Sequence, residues 1–283
     1  MRKISLVPLL LLVSAVLVAQ VPHSNHVVVV VEENHSYSSV VGNPAMPYFN
    51  SLASKYALAT QYYANTHPSI GNYFEMTSGH IITNSDGFSS TVTADNLVRH
   101  LLTAGKTWKS YAEGLPSVGY TGGDTANYTR HHNPFSYFSD VVNSSVERLN
   151  LVPMTSFATD VANNQLPQFS FVVPSKADDA HDGTLAQADN WLNAHIAPLV
   201  NTAAFQRDGI LIIVFDESLA SDKAHGGGRV AAVVVGPKVK HGYRSTLFYQ
   251  HQSLLKTVLQ ALGISSYPGA AATAPAFKDF FLP

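Results

Sequence analysis

The eight residues VVVVVEEN, Val27 to Asn34, decide the fold. Five valines in a row cannot be the alternating pattern of a strand with one wet face. A continuous β-branched run of this kind reads as a strand covered on both sides, as at the centre of a parallel sheet. The run stops abruptly at Glu32-Glu33-Asn34. A second stretch repeats the design: GILIIVF, Gly209 to Phe215, leads directly into Asp216-Glu217. Working outward, strands are expected at Ala57 to Tyr63, Thr107 to Tyr111, Phe169 to Val173 and Val230 to Val235. Helices are expected at Pro47 to Tyr56, where Phe49, Leu52 and Tyr56 fall at helical spacing, and from Ser69 or Ile70 to Thr77. Others span Asn96 to Thr103, Thr184 to Leu199, and Gln252 to Leu262 with Gly263 as C-cap. Residues 114–136, rich in Gly, Pro, Tyr and His, read as a long functional loop, and Ala270 to Pro283 as a surface wrap. Strands alternate with helices, so the fold class is α/β with a mainly parallel sheet. Ligands gather beyond the carboxyl ends of such strands. The polar clusters fall there: Glu33-Asn34, Asp178 to Asp182, and Asp216-Glu217.

Composition narrows the function. Residues 1–20 read as a secretory signal: Arg2 and Lys3 precede an apolar run from Leu6 to Ala19, with a processing site near Ala19-Gln20. The alternative is a membrane anchor, but the run is shorter than the ~20 residues a bilayer span needs, and Pro8 interrupts it. Residues 21–283 suffice for one domain with a large core. With 46% hydrophobic and 13% charged residues the chain is globular, not disordered. A formal net charge of -2 without a basic stripe makes nucleic acid a poor partner. There is no cysteine, so disulfides are excluded and any metal must take oxygen and nitrogen ligands. Export without disulfides fits a bacterial periplasm or exterior.

Adjacent carboxylates at a dry strand end repel unless a cation neutralises them, which makes Asp216 and Glu217 candidate ligands of a divalent metal. One acid capping a helix while the other is solvated is the alternative. Glu33 and Asn34 offer a carboxylate and an amide oxygen at the end of the first strand, or else form an Asx-type turn. Ser69 stands at an expected helix N-terminus, where free N–H groups and the dipole favour an alkoxide and a phosphate. A plain N-cap would also place a serine there. His131-His132 sit in the long loop. His181, among acids, is a candidate proton donor to a leaving group. His225 with Gly226 to Gly228 lacks the spacing of a nucleotide-binding loop.

In order along the chain, these motifs resemble the phosphoesterase family of bacterial phospholipases C and acid phosphatases, within the alkaline-phosphatase-like superfamily. Its Glu-Asn-x-Ser pattern is matched by Glu33-Asn34-His35-Ser36. Its Pro-Ser-x-Pro-Asn-Tyr pattern is matched by Pro68-Ser69-Ile70-Gly71-Asn72-Tyr73, with Gly71 in place of the second proline. A His-x-Pro-Phe pattern is matched by His132 to Phe135, a Pro-Asn…Asp-x-His-Asp pattern by Pro174-Ser175 and Asp179 to Asp182, with Ser175 in place of the asparagine, and the acid pair by Asp216-Glu217. Tyr249 to Gly263 resembles the C-terminal helix.

The resemblance implies a three-layer α/β/α sandwich. It implies Ser69 as nucleophile, and Glu33, Asn34, Asp216 and Glu217 as ligands of one divalent metal ion. Asn72 would bind a phosphate oxygen, and His132 and His181 would line the substrate pocket, either of them protonating the leaving group. His131 and Asp179 join Asn72 as substrate-binding candidates, although His131, like His67 and His225, has no secure counterpart in the family pattern. The expected reaction is in-line attack by Ser69, giving a phosphoserine that water then hydrolyses.

A phosphomonoesterase acting on small phosphate esters is the expected function, and no stable membrane span remains once the signal is removed. The alternative is a phospholipase C acting on phospholipid, which would need an apolar surface. Tyr62, Tyr63, Phe88, Tyr120, Tyr128, Phe135, Tyr137 and Phe138 could form one, or be ordinary core. A sulfatase is disfavoured, since those enzymes modify a Cys or Ser in a different motif. A non-catalytic periplasmic phosphate-binding protein would use the same pocket without turnover.

Overall fold

The computed structural model describes residues 19–283, so all of the expected signal but its last two residues lies outside the described residues. The strands are β1 (Val27–Glu32), β2 (Ala57–Ala59), β3 (Trp108–Ala112), β4 (Leu151–Pro153), β5 (Phe169–Val173), β6 (Ile210–Phe215), β7 (Ala232–Val235) and β8 (Tyr243–Ser245). They form one eight-stranded sheet in the order β4-β3-β5-β1-β6-β7-β2-β8. Only β7 runs against the others, pairing antiparallel with β6 and β2. The valine run lies at the centre, parallel to β5 on one side and β6 on the other, with every residue buried.

The helices are α1 (Tyr37–Val40), α2 (Pro47–Lys55), α3 (Ser69–Ser78), α4 (Leu97–Thr103), α5 (Ser139–Val142), α6 (Thr155–Ala162), α7 (Leu185–Val200), α8 (Ala203–Asp208) and α9 (His251–Ala261). Register assigns them to layers. Phe171 pairs with Val29 and Phe215 with Glu32, and odd and even positions of β1 face opposite ways. Tyr73 of α3 packs edge-on against Phe171, with α9 beside α3. Phe49 of α2 packs on Phe215, with α7 beside α2. The sheet is therefore sandwiched between two helical layers, as the resemblance implies. Among the described residues no helix is long and apolar enough to cross a membrane.

The expected elements appear with small boundary shifts, except that β2 ends at Ala59 and Tyr62 and Tyr63 make only isolated bridges. The C-terminal stretch is not a surface wrap. Phe277, Phe280 and Phe281 are fully buried, and the Asp279 carboxylate accepts the hydroxyls of Tyr243, Ser245 and Tyr249.

Candidate active site

Glu33 is the first residue beyond β1, and alternation carries it to the α3 side of the sheet. Its backbone N–H donates to the Asp179 carbonyl at 2.8 Å. Its carboxylate is fully buried and accepts two hydroxyls: Ser69 Oγ at 3.0 Å on Oε2 and the Tyr73 phenol at 2.6 Å on Oε1. Ser69 is the first residue of α3. The cap position belongs to Pro68 and carries no side-chain cap bond, so the Ser69 hydroxyl serves the site rather than the helix end. Tyr73 lies one turn further along the same face.

The chain turns sharply at Asn34, whose φ of 56° places it in the left-handed region that asparagine tolerates. That turn aims the Asn34 N–H at Asp216 Oδ1, 3.2 Å away. Asp216 is the first residue after β6 and is fully buried; its carbonyl lies 2.6 Å from Nε2 of the buried His251. A carbonyl only accepts, so Nε2 carries the proton, and Nδ1 accepts from the Tyr62 hydroxyl at 3.0 Å. Burial pushes His251 down to about 4, so it stays neutral and locks the backbone that presents Asp216.

Glu217 points to a different set of partners. Its Oε2 receives Asn72 Nδ2 at 3.3 Å and lies 3.2 Å from His67 Nδ1. Asn72 was expected to hold a phosphate oxygen. The structure instead commits its amide to the chain: Oδ1 accepts the N–H groups of Asn65 and Thr66, and Nδ2 donates to the Thr66 carbonyl at 2.8 Å. Gly71, the departure from the family proline, leaves room for a neighbour. A Cβ there would lie 2.5 Å from Asn84 Oδ1 and from Thr66 Cγ2.

His132 and Asp179 were expected to face substrate, but both are buried. His132 stacks on Tyr73 with ring centres 5.1 Å apart, and stands between Glu33 Oε1 at 3.4 Å and Asp179 Oδ2 at 3.5 Å. Burial drives its pKa well down, so the ring is neutral and can offer a lone pair. Glu33, His132 and Asp179 each present one ligand atom, all within 4.8 Å of one another. His181 is half-buried. Its Nδ1 lies 2.7 Å from Asp182 Oδ1, and its ring is 6.0 Å from that of His132. His131 touches His132 at 4.6 Å, with Nδ1 3.7 Å from Asp124 Oδ2. His225 lies apart from the carboxylates, packed against Tyr63 and Phe248.

The electrostatics ask for a cation. Burial, then the neighbouring Asp216 and Asp179 charges, raise Glu33 well above the usual carboxylate range. Burial does the same to Asp179. Burial lifts Asp216 to about 6, and burial together with Asp216 lifts Glu217 to about 9. Among the described residues no Lys or Arg pairs with any of the four; their ion-pair partners are His67 and His132. Asp216 Oδ2, Asp179 Oδ2 and both nitrogens of His132 are buried without a hydrogen-bond partner. Hard oxygen donors with one imidazole in a dry pocket fit a divalent cation. Beside the ligands expected from sequence, His132 and Asp179 complete with Glu33 a buried triad that could hold a metal ion. Tyr73 and His251 are site residues that the sequence reading does not anticipate, and His67 enters it only as a histidine with no secure family counterpart. Only Tyr73 carried a signal, its four-residue spacing from Ser69.

The Phosphoesterase family profile matches residues 43–265. The chain is 34% identical over 267 residues to a phosphatidylinositol-3-phosphatase of Mycobacterium tuberculosis, covering 92% of this chain and 84% of that protein. It is 31% identical over 246 residues to an acid phosphatase of Aspergillus fumigatus, covering 83% of this chain but only 54% of the fungal protein. A solved protein of the alkaline phosphatase superfamily from Vibrio parahaemolyticus superposes with a TM-score of 0.63 at 14% identity, over 93% of this chain and 74% of that one, which speaks for the fold. With its serine and carboxylates gathered at the ends of β1 and β6, the chain belongs to the phosphoesterase family.

Proposed function

We propose that the protein is an exported, metal-dependent phosphomonoesterase that works through a phosphoserine at Ser69. One observation carries the reading: Ser69 Oγ, at the start of α3, is held at 3.0 Å by a buried carboxylate inside a cluster of acids that lacks its own counter-charge. Glu33, Asp216, Asp179 and His132 would hold the cation, with Asn34 and Glu217 as further candidates. When bound, a divalent ion supplies Lewis-acid stabilisation of charge on the phosphoryl oxygens.

The side chains do the rest. Glu33 and Tyr73 fix the position of the Ser69 hydroxyl. Ser69 Oγ passes its proton to Glu33 Oε2, 3.0 Å away, and attacks phosphorus as the bond to the leaving oxygen breaks; Glu33 returns that proton to Ser69 Oγ when water displaces it, and the free N–H groups at the start of α3 face the phosphoryl oxygens. His181, the most accessible imidazole of the cluster, gives its proton to the leaving alcohol. It then takes a proton from the water that releases phosphate from Ser69. His132, sealed between two acids, holds the site rather than shuttling protons.

Several observations favour a monoester. The relatives named above are phosphatases. Of the aromatic residues that could have formed a surface for acyl chains, Tyr62, Tyr128, Phe135, Tyr137 and Phe138 are buried in the core. Export rests on the charged and apolar pattern of residues 1–20.

The test is a substrate panel of p-nitrophenyl phosphate, bis-p-nitrophenyl phosphate and p-nitrophenyl phosphorylcholine, each with and without chelator. Chelator-sensitive turnover led by p-nitrophenyl phosphate supports the reading. A lead by either diester makes the enzyme a phospholipase C type. No turnover on any, with divalent metal restored, leaves a phosphate-binding protein. Recovery outside the cytoplasm with an N-terminus near Val21 tests export.

A further inference from the structure

The glycine-rich turn after β6 takes no part in the reaction described above, yet it sets the state of one histidine beside the nucleophile. Gly226 and Gly227 pack on the chain that leads into α3: a Cβ at either position would run into the carbonyls of Asn65 and Thr66. The Asp222 carboxylate anchors the turn, accepting the N–H groups of Ala224 and Arg229 and the Ser218 hydroxyl. The close approach brings the Asp222 carbonyl to 2.9 Å from His67 Nε2. A carbonyl only accepts, so the proton of the neutral ring sits on Nε2 and its lone pair on Nδ1.

That lone pair faces the carboxylate cluster. His67 stands two residues before Ser69, and its Nδ1 lies 3.2 Å from Glu217 Oε2. Nδ1 is sealed from solvent and has no hydrogen-bond partner among the described residues. A plain His–Glu pair would join the two by a hydrogen bond, and the geometry makes none; Oε2 accepts from Asn72 Nδ2 at 3.3 Å instead. A buried nitrogen lone pair against a carboxylate oxygen is costly until a positive charge meets both. Two donors each ~2.1 Å from one cation, in tetrahedral or octahedral arrangement, lie ~3.0–3.4 Å from one another. The spacing of Nδ1 and Oε2 is thus that of two ligands on one ion. Nε2 supplies the remaining feature of a ligating imidazole, an N–H held by a backbone carbonyl that fixes tautomer and ring orientation.

We infer that His67, through Nδ1, is a ligand of the cation alongside Glu217. An imidazole on that side biases the site toward borderline ions such as zinc and away from magnesium, which takes oxygen donors. The inference rests on the metal-dependent reading, and its test needs no turnover. The full chain is produced with isotope-labelled histidine nitrogens and loaded with a spin-active cadmium isotope, which stands in for zinc. A through-bond coupling between cadmium and the His67 Nδ1 resonance is expected. Loss of that resonance in His67→Gln assigns it, and His67→Asn serves the same purpose if the longer amide does not fold. Because the coupling is read on the wild type, it does not depend on the behaviour of a variant. Calorimetry with zinc and with magnesium gives the second readout. Either variant replaces the nitrogen donor by an amide oxygen, so zinc affinity should fall at least ~10²-fold, the upper end for removing a ligand's supporting partner. Magnesium affinity should change far less. Cadmium bound without coupling to His67, or zinc affinity unchanged in the variants, overturns the ligand and leaves the metal-dependent reading standing. Failure of the wild type to bind cadmium, zinc or magnesium overturns both.

Discussion

Two acid pairs follow two buried strands, and they meet different fates. Glu32-Glu33 closes the first valine run, and Asp216-Glu217 follows GILIIVF. In the first pair the strand continues through Glu32, so pleating turns that side chain toward the α2 layer and Glu33 toward α3. Glu32 ends fully buried, with neither carboxylate oxygen hydrogen-bonded. In the second pair the strand stops at Phe215, and both acids lie beyond it, free to turn toward the site. Asp216 approaches Glu33 and Asn34, and Glu217 approaches Asn72 and His67. A one-residue difference in where pairing ends decides whether a doublet contributes one functional carboxylate or two.

The largest effects should fall on the carboxylates that face Ser69. Glu33→Gln and Asp216→Asn should each cost at least ~10³-fold in kcat, on the scale of losing one preorganised charge-stabilising group. Each should also lower bound divalent metal in elemental analysis. Retention of both turnover and metal by either variant would dissolve the contrast between the pairs.

A smaller effect is expected at His181. His181→Gln should slow alkyl phosphates by ~10²-fold, the low end of general-acid catalysis. The loss should shrink on p-nitrophenyl phosphate, whose leaving group departs without a proton. Equal losses on both would assign His181 to positioning.

The smallest effect belongs to Glu32. Glu32→Gln should leave kcat near wild type, since that side chain faces away from Ser69. Its stability signature has a definite sign. Burial raises the Glu32 pKa well above its ordinary 4.5, with the nearby Asp179 charge adding to it. The folded state thus binds the extra proton, and its contribution is full below the ordinary carboxylate pKa and lost as pH rises. The variant should therefore gain melting temperature over wild type at pH 8 more than at pH 5, read by thermal denaturation. Glu217, raised to about 9, gives chelated protein the same slope: less stable at pH 8 than at pH 5, with the gap closed by added metal.

The sequence made the central strands legible because β-branched runs covered on both faces leave little else to form. β4 and β8 were not legible, since each has only three residues and no pattern can emerge from so few. The C-terminal phenylalanines were misjudged because their partners, Tyr243 and Tyr249 among them, are distant in sequence. Ser69, Glu33 and Asp216, which the structure brings together, were legible as candidate site residues because each sits where an element begins or ends. The inward turn of His132 and Asp179 was not, since loop residues carry no periodicity and only packing tells which way they point. Asn72 showed the same limit: the motif marked its place but not its partners.

The central claim is that Ser69 accepts the phosphoryl group within the carboxylate cluster. Acid quenching during p-nitrophenyl phosphate turnover, followed by peptide mapping, tests it directly. Phosphate on the peptide containing Ser69, absent from Ser69→Ala protein and from chelated enzyme, is the predicted result. Phosphate on another residue, or undiminished turnover by Ser69→Ala with no labelled peptide, would contradict it.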